Sequence, residues 1–364
     1  MAADDTSTTR LSRRNFLSAA ALGAAYVAAG PAASLASADP QPVSTENLDA
    51  FEGELLAFSK GTFEVETDGS VRQVVALGGS TFWKGGETSW DGFSVGDTVL
   101  VRTVNGQLDR AWANLIQRTG FVLSGSSDVV TIALDDNGTD RLAVSLPSST
   151  DFRDAFTGQA TRVTLPPTTS VNVVGLETPD GLVASAIRYG LPGAAPQTTT
   201  PTQPSVTVSR AVSASPDVQM CTYTYNHFAS LFACPPSACG TCSTSNSSQC
   251  AWPAQDVCNC CNGVNGCACD CVHGCLTLAI AGCGHHVQVT DACNGKYRDT
   301  VIVDCGPCMS NCGCPTNVCG HVCNYCGLSR THPIVDLTKP TFSIFYDPSK
   351  VMCFPAKVAV TIPC

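Results

Sequence analysis

The chain has 364 residues, enough for two or three domains, and a formal net charge of −10 at neutral pH. All 23 cysteines and all six histidines lie from Cys221 onwards, whereas residues 39–196 carry 20 acidic and 10 basic side chains. Neither half of the chain is basic, so the composition argues against nucleic acid as a partner.

The first 38 residues have the features of an export signal. The twin arginines of SRRNFL (12–17) precede an apolar, alanine-rich run (19–29), and ASA (36–38) offers a small-residue cleavage site. The run is too short and too weakly hydrophobic to span a bilayer. We therefore expect a cleaved twin-arginine signal over 1–38, no integral membrane span in the mature protein, and a secreted, extracellular or cell-wall location.

A weak internal repeat follows, with one copy in residues 45–118 and the second in residues 119–190. Its clearest segments are GTFEVETDG (61–69), VGDTVLVRTVNGQLDRAWANLI (95–116), DVVTIALDDNG (128–138) and TSVNVVGLETPDGLVASAIRY (169–189). Each copy alternates apolar and polar residues, with D-G, N-G and D-N-G turns between the runs. The pattern predicts two small β-barrels or sandwiches in tandem, which resemble OB-like modules.

Residues 191–219 are rich in Pro, Thr and Ser and predict an extended linker. The rest of the chain, 220–364, predicts a cysteine-rich domain in which short β-runs alternate with loops. The runs are CTYTYNHF (221–228), LTLAIA (276–281), HHVQVTD (285–291), DTVIVD (299–304), HPIVDLT (332–338) and AKVAVTI (356–362). Loops of this kind bury too little apolar area to hold themselves, so cross-links must support them.

The order of these segments resembles the double-psi β-barrel group, which includes expansins, barwin-type proteins, rare-lipoprotein-A-like proteins and family-45 endoglucanases. The matching features are Cys283-Gly284 before a strand, Asp304 at a strand end before Cys305, Asp336-Leu337-Thr338 with a short helix near Lys339, and a last strand at Val358–Val360. The resemblance implies a six-stranded double-psi β-barrel in which the strands of Asp304 and Asp336 open into one surface groove.

The resemblance also implies roles for the two aspartates. In the hydrolytic relatives the aspartate of the Asp-Leu pair is the general acid, which is Asp336 here, and Asp304 would orient or support it. The family-45 base follows a Thr-x-Tyr stretch, but the matching position holds Asn226, which cannot act as a carboxylate base. A purely structural role is the alternative: a helix N-cap or a loop hydrogen bond for Asp336, and a strand-end hydrogen bond for Asp304.

Aromatic side chains near the barrel could stack on sugar rings, although each one alone is more often part of a core. The predicted substrate-binding residues are Tyr223, Tyr225, Asn226 and Trp252. Among them, Trp252 in the segment CAWP is expected to be the most exposed.

The cysteines are expected to form disulfides, because an exported protein meets an oxidising environment. Cys305-Gly306-Pro307-Cys308 matches the thioredoxin motif, but the residues after it do not favour the helix that activates a redox thiol. The disulfide candidates are Cys239, Cys242, Cys283, Cys293, Cys305, Cys308, Cys323, Cys326, Cys353 and Cys364. Several C-x-x-C pairs also have zinc-like spacing, which keeps structural metal as an alternative, although we expect no metal and no cofactor.

The sequence thus predicts a mainly β, exported protein with tandem OB-like barrels and a cysteine-rich six-stranded double-psi β-barrel. Its expected partner is a cell-wall polysaccharide, either peptidoglycan or a cellulose-like glycan. The preferred hypothesis is expansin-like, non-hydrolytic loosening, because the carboxylate base is missing. The alternatives are a lytic transglycosylase or endoglucanase-like glycosidase with Asp336 as general acid, and a metal-binding or structural surface protein.

Overall fold

The structure is a computed structural model. It describes residues 43–59, 61–134, 138–154, 160–190, 207–211, 220–232, 234, 239–252, 279, 281–304, 306 and 333–363. The predicted export signal, most of the predicted linker and the segments 253–278 and 307–332 lie outside these residues. Strands dominate the described part, which also contains the helix α1 (Lys339–Phe345) and a short 3-10 turn (Trp90–Gly92). The prediction of a mainly β protein is confirmed.

The strands form three sheets. The first contains β2 (Leu48–Ser59), β3 (Thr62–Thr67), β4 (Ser70–Trp83), β5 (Glu87–Thr88), β6 (Thr98–Val104) and β7 (Gln107–Ala113). The second contains β8 (Leu115–Gly125), β9 (Val129–Ala133), β10 (Arg141–Ser145), β11 (Asp151–Asp154), β12 (Ser170–Thr178) and β13 (Gly181–Gly190). The third contains β1 (Val43–Ser44), β14 (Thr207–Ala211), β15 (Met220–Phe232), β16 (Gln249–Ala251), β17 (His286–Asp291), β18 (Lys296–Asp304), β19 (Pro333–Thr338) and β20 (Cys353–Pro363).

The first two sheets close into small five-stranded barrels with the same strand order. The first ring runs β2–β3–β4–β7–β6 and the second β8–β9–β10–β13–β12, and each ring has one parallel pair, β4–β7 in the first and β10–β13 in the second. The chain therefore contains small barrels in tandem, as the fold-class prediction stated, and β8 of the second barrel begins at Leu115, inside the predicted first copy. Asn105 and Gly106 have φ angles of 51° and 79° in the two-residue turn between β6 and β7, the left-handed conformation that an N-G hairpin favours.

The third sheet closes into a six-stranded ring in the order β15–β19–β16–β18–β17–β20. Alternation along the strands builds its core: Val358 and Val360 of β20 are fully buried, whereas Lys357 and Thr361 are exposed. The closed ring agrees with the strand number expected from the resemblance. Membership of the double-psi group itself stays a prediction.

The predicted linker contains one strand. Residues 207–211 form β14, which pairs antiparallel with β15 over Thr207–Ala211 and Met220–Thr224. This part of the chain therefore extends the third sheet instead of forming only an extended connection.

The first barrel packs against the third. Its β7 supplies Trp112, whose Nε1 donates to Asp347 Oδ1 at 2.7 Å, and Arg110, whose Nη1 lies 2.7 Å from Asp347 Oδ2. Arg102 Nη1 donates to the carbonyl of Ser343 in α1 at 2.9 Å. A small apolar cluster joins segments of all three barrels: Trp83, Leu100, Trp112, Leu115, Val174, Ala186 and Met352. All described residues accordingly belong to one compact unit.

Candidate functional site

The two predicted catalytic aspartates lie in one row across the third barrel. Asp304, the last residue of β18, is opposite Ala251 of β16, and Ala251 is in turn opposite Asp336 of β19. Asp336 is opposite Ser230 of β15, and Ser230 is opposite Cys353 of β20. Since neighbouring strands lie about 4.8 Å apart, the Cα atoms of Asp304 and Asp336 are about 10 Å apart. The prediction that these two strands lie close together is correct, with β16 between them.

A neighbouring row anchors this arrangement in the core. Ile302, Cys250, Leu337 and Leu231 pair across the same four strands and are all buried in the hydrophobic core of the third barrel. β18 has one extra residue here, since the register shifts between Cys250 and Ala251. A bulge of this kind re-aims the side chain that follows it, which is Asp304.

Asp336 has the electrostatics of a proton donor. Its half-buried carboxylate accepts a hydrogen bond from the hydroxyl of Ser230. Loss of solvent around the carboxyl, with a smaller contribution from the negative charge of Asp304, raises the pKa of Asp336 to about 7, while the bond from Ser230 acts in the opposite direction. A carboxylic acid with this pKa keeps its proton at mildly acidic pH and exchanges it near neutrality.

The buried thiol of Cys250 lies beside this row but is not a nucleophile. Burial raises the pKa of Cys250 to about 12, so the thiol stays protonated at neutral pH. Its position in the core row shows that it contributes packing.

The helix that follows β19 is capped by a residue other than Asp336. Thr338 is the N-cap of α1, and its side chain accepts a hydrogen bond from the backbone N–H of Thr341. Thr341 Oγ1 also accepts from the backbone N–H of Gln249 at 2.9 Å, which ties α1 to β16. The alternative structural role for Asp336 as an N-cap is therefore wrong, and its carboxyl is left beside Ser230.

The predicted sugar-stacking residues need correction. Trp252 is fully buried in the core, where its Nε1 donates to the carbonyl of Ala279 at 2.9 Å. Tyr225 is also fully buried, and its hydroxyl accepts from the backbone N–H of Ala279 at 2.7 Å. Both rings pack against each other, with centroids 5.8 Å apart. Neither ring can stack on a sugar, because both are part of the barrel core. Tyr223 differs from them, since it is half-buried at the edge of that core.

Asn226 is exposed on β15, opposite Lys357, and not opposite Asp336. The residue of β15 that faces Asp336 is Ser230, four residues further along the strand, or about 13 Å. Asn226, which the resemblance matches to the family-45 base, therefore does not lie opposite the acid. The sequence analysis missed Ser230. The signal that could have indicated it is the alternation along β15, which places Ser230 on the same face of the strand as Asn226.

Disulfides are present in the cysteine-rich part. Cys239 pairs with Cys283, and Cys234 pairs with Cys242. Cys293 is also disulfide-bonded, as is Cys221, which was not among the candidates. Cys353 lies half-buried on β20. Five other candidates lie outside the described residues: Cys305, Cys308, Cys323, Cys326 and Cys364. The reactivity of the thioredoxin-like motif, which includes Cys305 and Cys308, therefore stays a prediction.

Within the described residues, no group of three or more His, Cys, Asp or Glu side chains is placed to hold a metal ion. The cysteines and histidines of 253–278 and 307–332, on which the zinc alternative depends, fall outside them. None of the helices in the described part of the chain is long and apolar enough to cross a membrane.

Comparison with known proteins adds no assignment. No protein-family model matches the chain, and no curated protein sequence matches it. The function must therefore be argued from the site itself.

Proposed function

We propose that the protein acts on a structural polysaccharide, such as a cell-wall glycan, and cleaves it with Asp336 as the general acid. One observation carries this proposal: a half-buried carboxyl with a pKa near 7 lies beside a serine hydroxyl and in one row with a second aspartate. Glycosidic bonds break when an acid protonates the leaving oxygen, and a donor works best when its pKa is near the working pH.

In this proposal Asp304 is the second carboxylate, the base for which the sequence offered only Asn226. An inverting glycosidase needs its two carboxyl groups about 6.5–9.5 Å apart, so that a water molecule fits between base and substrate. Two strand spacings separate the Cα atoms of Asp304 and Asp336 by about 10 Å, and the charge of Asp304 contributes to the raised pKa of Asp336, which supports placing both carboxyl groups in one site. In a lytic transglycosylase a sugar hydroxyl replaces the water. Asp304 would then help to keep Asp336 protonated, because its negative charge raises the pKa of Asp336.

Non-hydrolytic loosening, the preferred hypothesis from sequence, has less support from the geometry. It depended on the absence of a carboxylate base beside the acid. Trp252 and Tyr225 are buried, and Asp304 provides a carboxylate near the acid. The favoured form of the proposal is therefore cleavage, and binding without cleavage is the main competing outcome.

The location of the protein is part of the same proposal. Export through the twin-arginine route follows from the N-terminal segment, and the disulfides Cys239–Cys283 and Cys234–Cys242 fit an oxidising compartment. Mass determination of the protein from the culture medium would test this: removal of residues 1–38 is expected, and an uncleaved cytoplasmic form would contradict it.

The decisive experiment incubates the oxidised protein with peptidoglycan sacculi and, separately, with cellulose. Soluble sugars and bound protein are both measured from pH 5 to 9. Cleavage is expected to fall above about pH 7, as Asp336 loses its proton, and to disappear in Asp336→Asn. Anhydro-sugar ends would identify a transglycosylase, and reducing ends a hydrolase. Binding without soluble products would favour non-hydrolytic loosening. If the protein neither binds nor releases sugars, and elemental analysis finds stoichiometric zinc, the metal-binding alternative is favoured.

A further inference from the structure

The chain has four tryptophans, and only one of them is exposed. Trp83, Trp112 and Trp252 are at most 6 % exposed, whereas Trp90, in the 3-10 turn of the first barrel, is 39 % exposed. Large apolar side chains at a surface are not unusual singly. The setting of Trp90, however, differs from that of an isolated surface residue.

Trp90 is the outer end of a series of aromatic rings. Phe58 contacts it edge-on, with ring centroids 5.8 Å apart and planes at 70°. Phe58 is followed inwards by Phe63 at 6.3 Å, and Phe63 contacts Phe82 and Phe93 in the barrel core at 5.6 and 5.8 Å. Pairs of this geometry stabilise each other beyond the area that they bury. The indole of Trp90 therefore packs against Phe58 on one side, and part of it faces solvent.

The loop that carries Trp90 is held at both ends. Asp97 accepts hydrogen bonds from Lys84 Nζ at 2.7 Å and from the backbone N–H of Ser94 at 2.8 Å. Phe93, three residues after Trp90, is buried in the core. A ligand would thus meet an aromatic ring whose conformational entropy is already reduced, which lowers the cost of binding.

The surroundings of Trp90 favour an uncharged ligand rich in hydroxyl groups. Ser89 and Asp91 flank the ring and are exposed; the Ser89 hydroxyl donates to Asp91 Oδ1, and the carboxylate can accept further hydrogen bonds from sugar hydroxyls. Glu87 is also exposed and lies 3.6 Å from Lys350 Nζ, and Lys84 is paired with Asp97, so both of these cations near the loop have acidic partners. A negatively charged surface repels phosphates and anionic polymers. Phe58 is the penultimate residue of β2, so Trp90 lies beside the C-terminal end of that strand.

We propose that Trp90, with Ser89 and Asp91, forms a second glycan-binding site on the first barrel, which stacks a neutral sugar ring of the polysaccharide. This inference rests on the proposed function, since it assigns the same class of ligand to a separate site. The site anchors the polymer and takes no part in proton transfer.

Caesium quenching of the full-length protein tests the site without a mutation. The other three tryptophans are buried, so the quenchable fluorescence comes from Trp90, and caesium is not repelled by an acidic surface. Cellohexaose and the hexamer of N-acetylglucosamine serve as probes. At least one is expected to protect the fluorescence; if neither does at millimolar concentration, the proposal is overturned.

Binding to insoluble cellulose and to sacculi is then compared between variants. Trp90→Ala is expected to weaken binding to the preferred polymer about tenfold, Trp90→Phe to restore most of it, and Val71→Ala, an exposed valine on β4 of the same barrel, to leave it unchanged. Folding of each variant is checked by its urea unfolding curve. Equal binding by Trp90→Ala and wild type would overturn the site.

The two proposals fail in different ways. Asp336→Asn should bind the polymer like wild type but release no sugars, whereas Trp90→Ala should bind poorly but still cleave short soluble oligosaccharides. If wild type binds through Trp90 and yields no products, cleavage fails and the site is retained. If products form and Trp90→Ala binds normally, the site fails and cleavage is retained.

Discussion

Replacing Asp336 by Asn should change how the stability of the protein depends on pH. The folded state raises the pKa of Asp336 from 3.8 to about 7, chiefly because the carboxyl loses solvent. Between these two pH values the folded protein keeps a proton that the unfolded chain releases. Stability should therefore fall as pH rises through this window, and the loss should be complete above about pH 7. Asn has a similar shape and does not titrate, so the variant should not show this loss.

The size of the effect follows from the pKa difference. One pH unit corresponds to about 1.4 kcal/mol, so the full shift corresponds to about 4 kcal/mol, an upper bound because Asp336 is only half-buried. The free energy of unfolding of Asp336→Asn, minus that of wild type, should rise steadily from pH 4 to 7 and then level off. The variant should be the more stable protein at pH 8.

Urea unfolding with intact disulfides, followed by tryptophan fluorescence at several pH values between 4 and 8, measures this difference. Asp128→Asn removes an exposed carboxyl from the second barrel and controls for the loss of one negative charge. Parallel stability curves for wild type and Asp336→Asn across the whole range would refute the reasoning, since they would mean that Asp336 titrates alike in the folded and unfolded chains.

Three further predictions concern named hydrogen bonds. Ser230→Ala removes a bond that favours the ionised carboxylate, so the pKa of Asp336, followed by carboxyl carbon NMR, should rise by about one unit; a fall would contradict the contact. Trp112→Phe removes the donor to Asp347 and should cost about 1–3 kcal/mol in urea unfolding, whereas an unchanged midpoint would show that this contact contributes little. Thr338→Ala should be about 1 kcal/mol less stable than Thr338→Ser, which loses the same buried methyl group but keeps the hydroxyl that caps α1.

Local patterns predicted the elements better than their contacts. The D-G and N-G turns and the alternating runs indicated the strands of the first two barrels, because these signals act between neighbouring residues. The short helix near Lys339 was expected from the family resemblance. The position of Ser230 opposite Asp336 depends on the register between β15 and β19. Alternation reveals which residues share a face but not which of them meets a given residue on another strand.

Burial was the other property that the sequence did not reveal. Trp252 follows a short strand and precedes a proline, a setting typical of an exposed loop, yet its ring fills the barrel core against Tyr225. The contact of Trp112 with Asp347 joins residues 235 positions apart and has no local signal. Both features depend on tertiary packing, which a pattern along one strand does not encode.

The contacts of α1 change how the N-terminal half should be viewed. Lys339, the first residue of α1 and three residues after Asp336, forms an ion pair with Glu52 of the first barrel, where both side chains are largely buried. Removing one partner of such a pair leaves a buried charge and is strongly destabilising. Because Arg102 also bonds to the helix and Asp347 to Trp112, the segment that follows the acid is packed between two barrels. The first barrel is therefore part of the structural support of the candidate site and not only a tethered module, so the third barrel expressed alone would lack contacts that hold α1 in place.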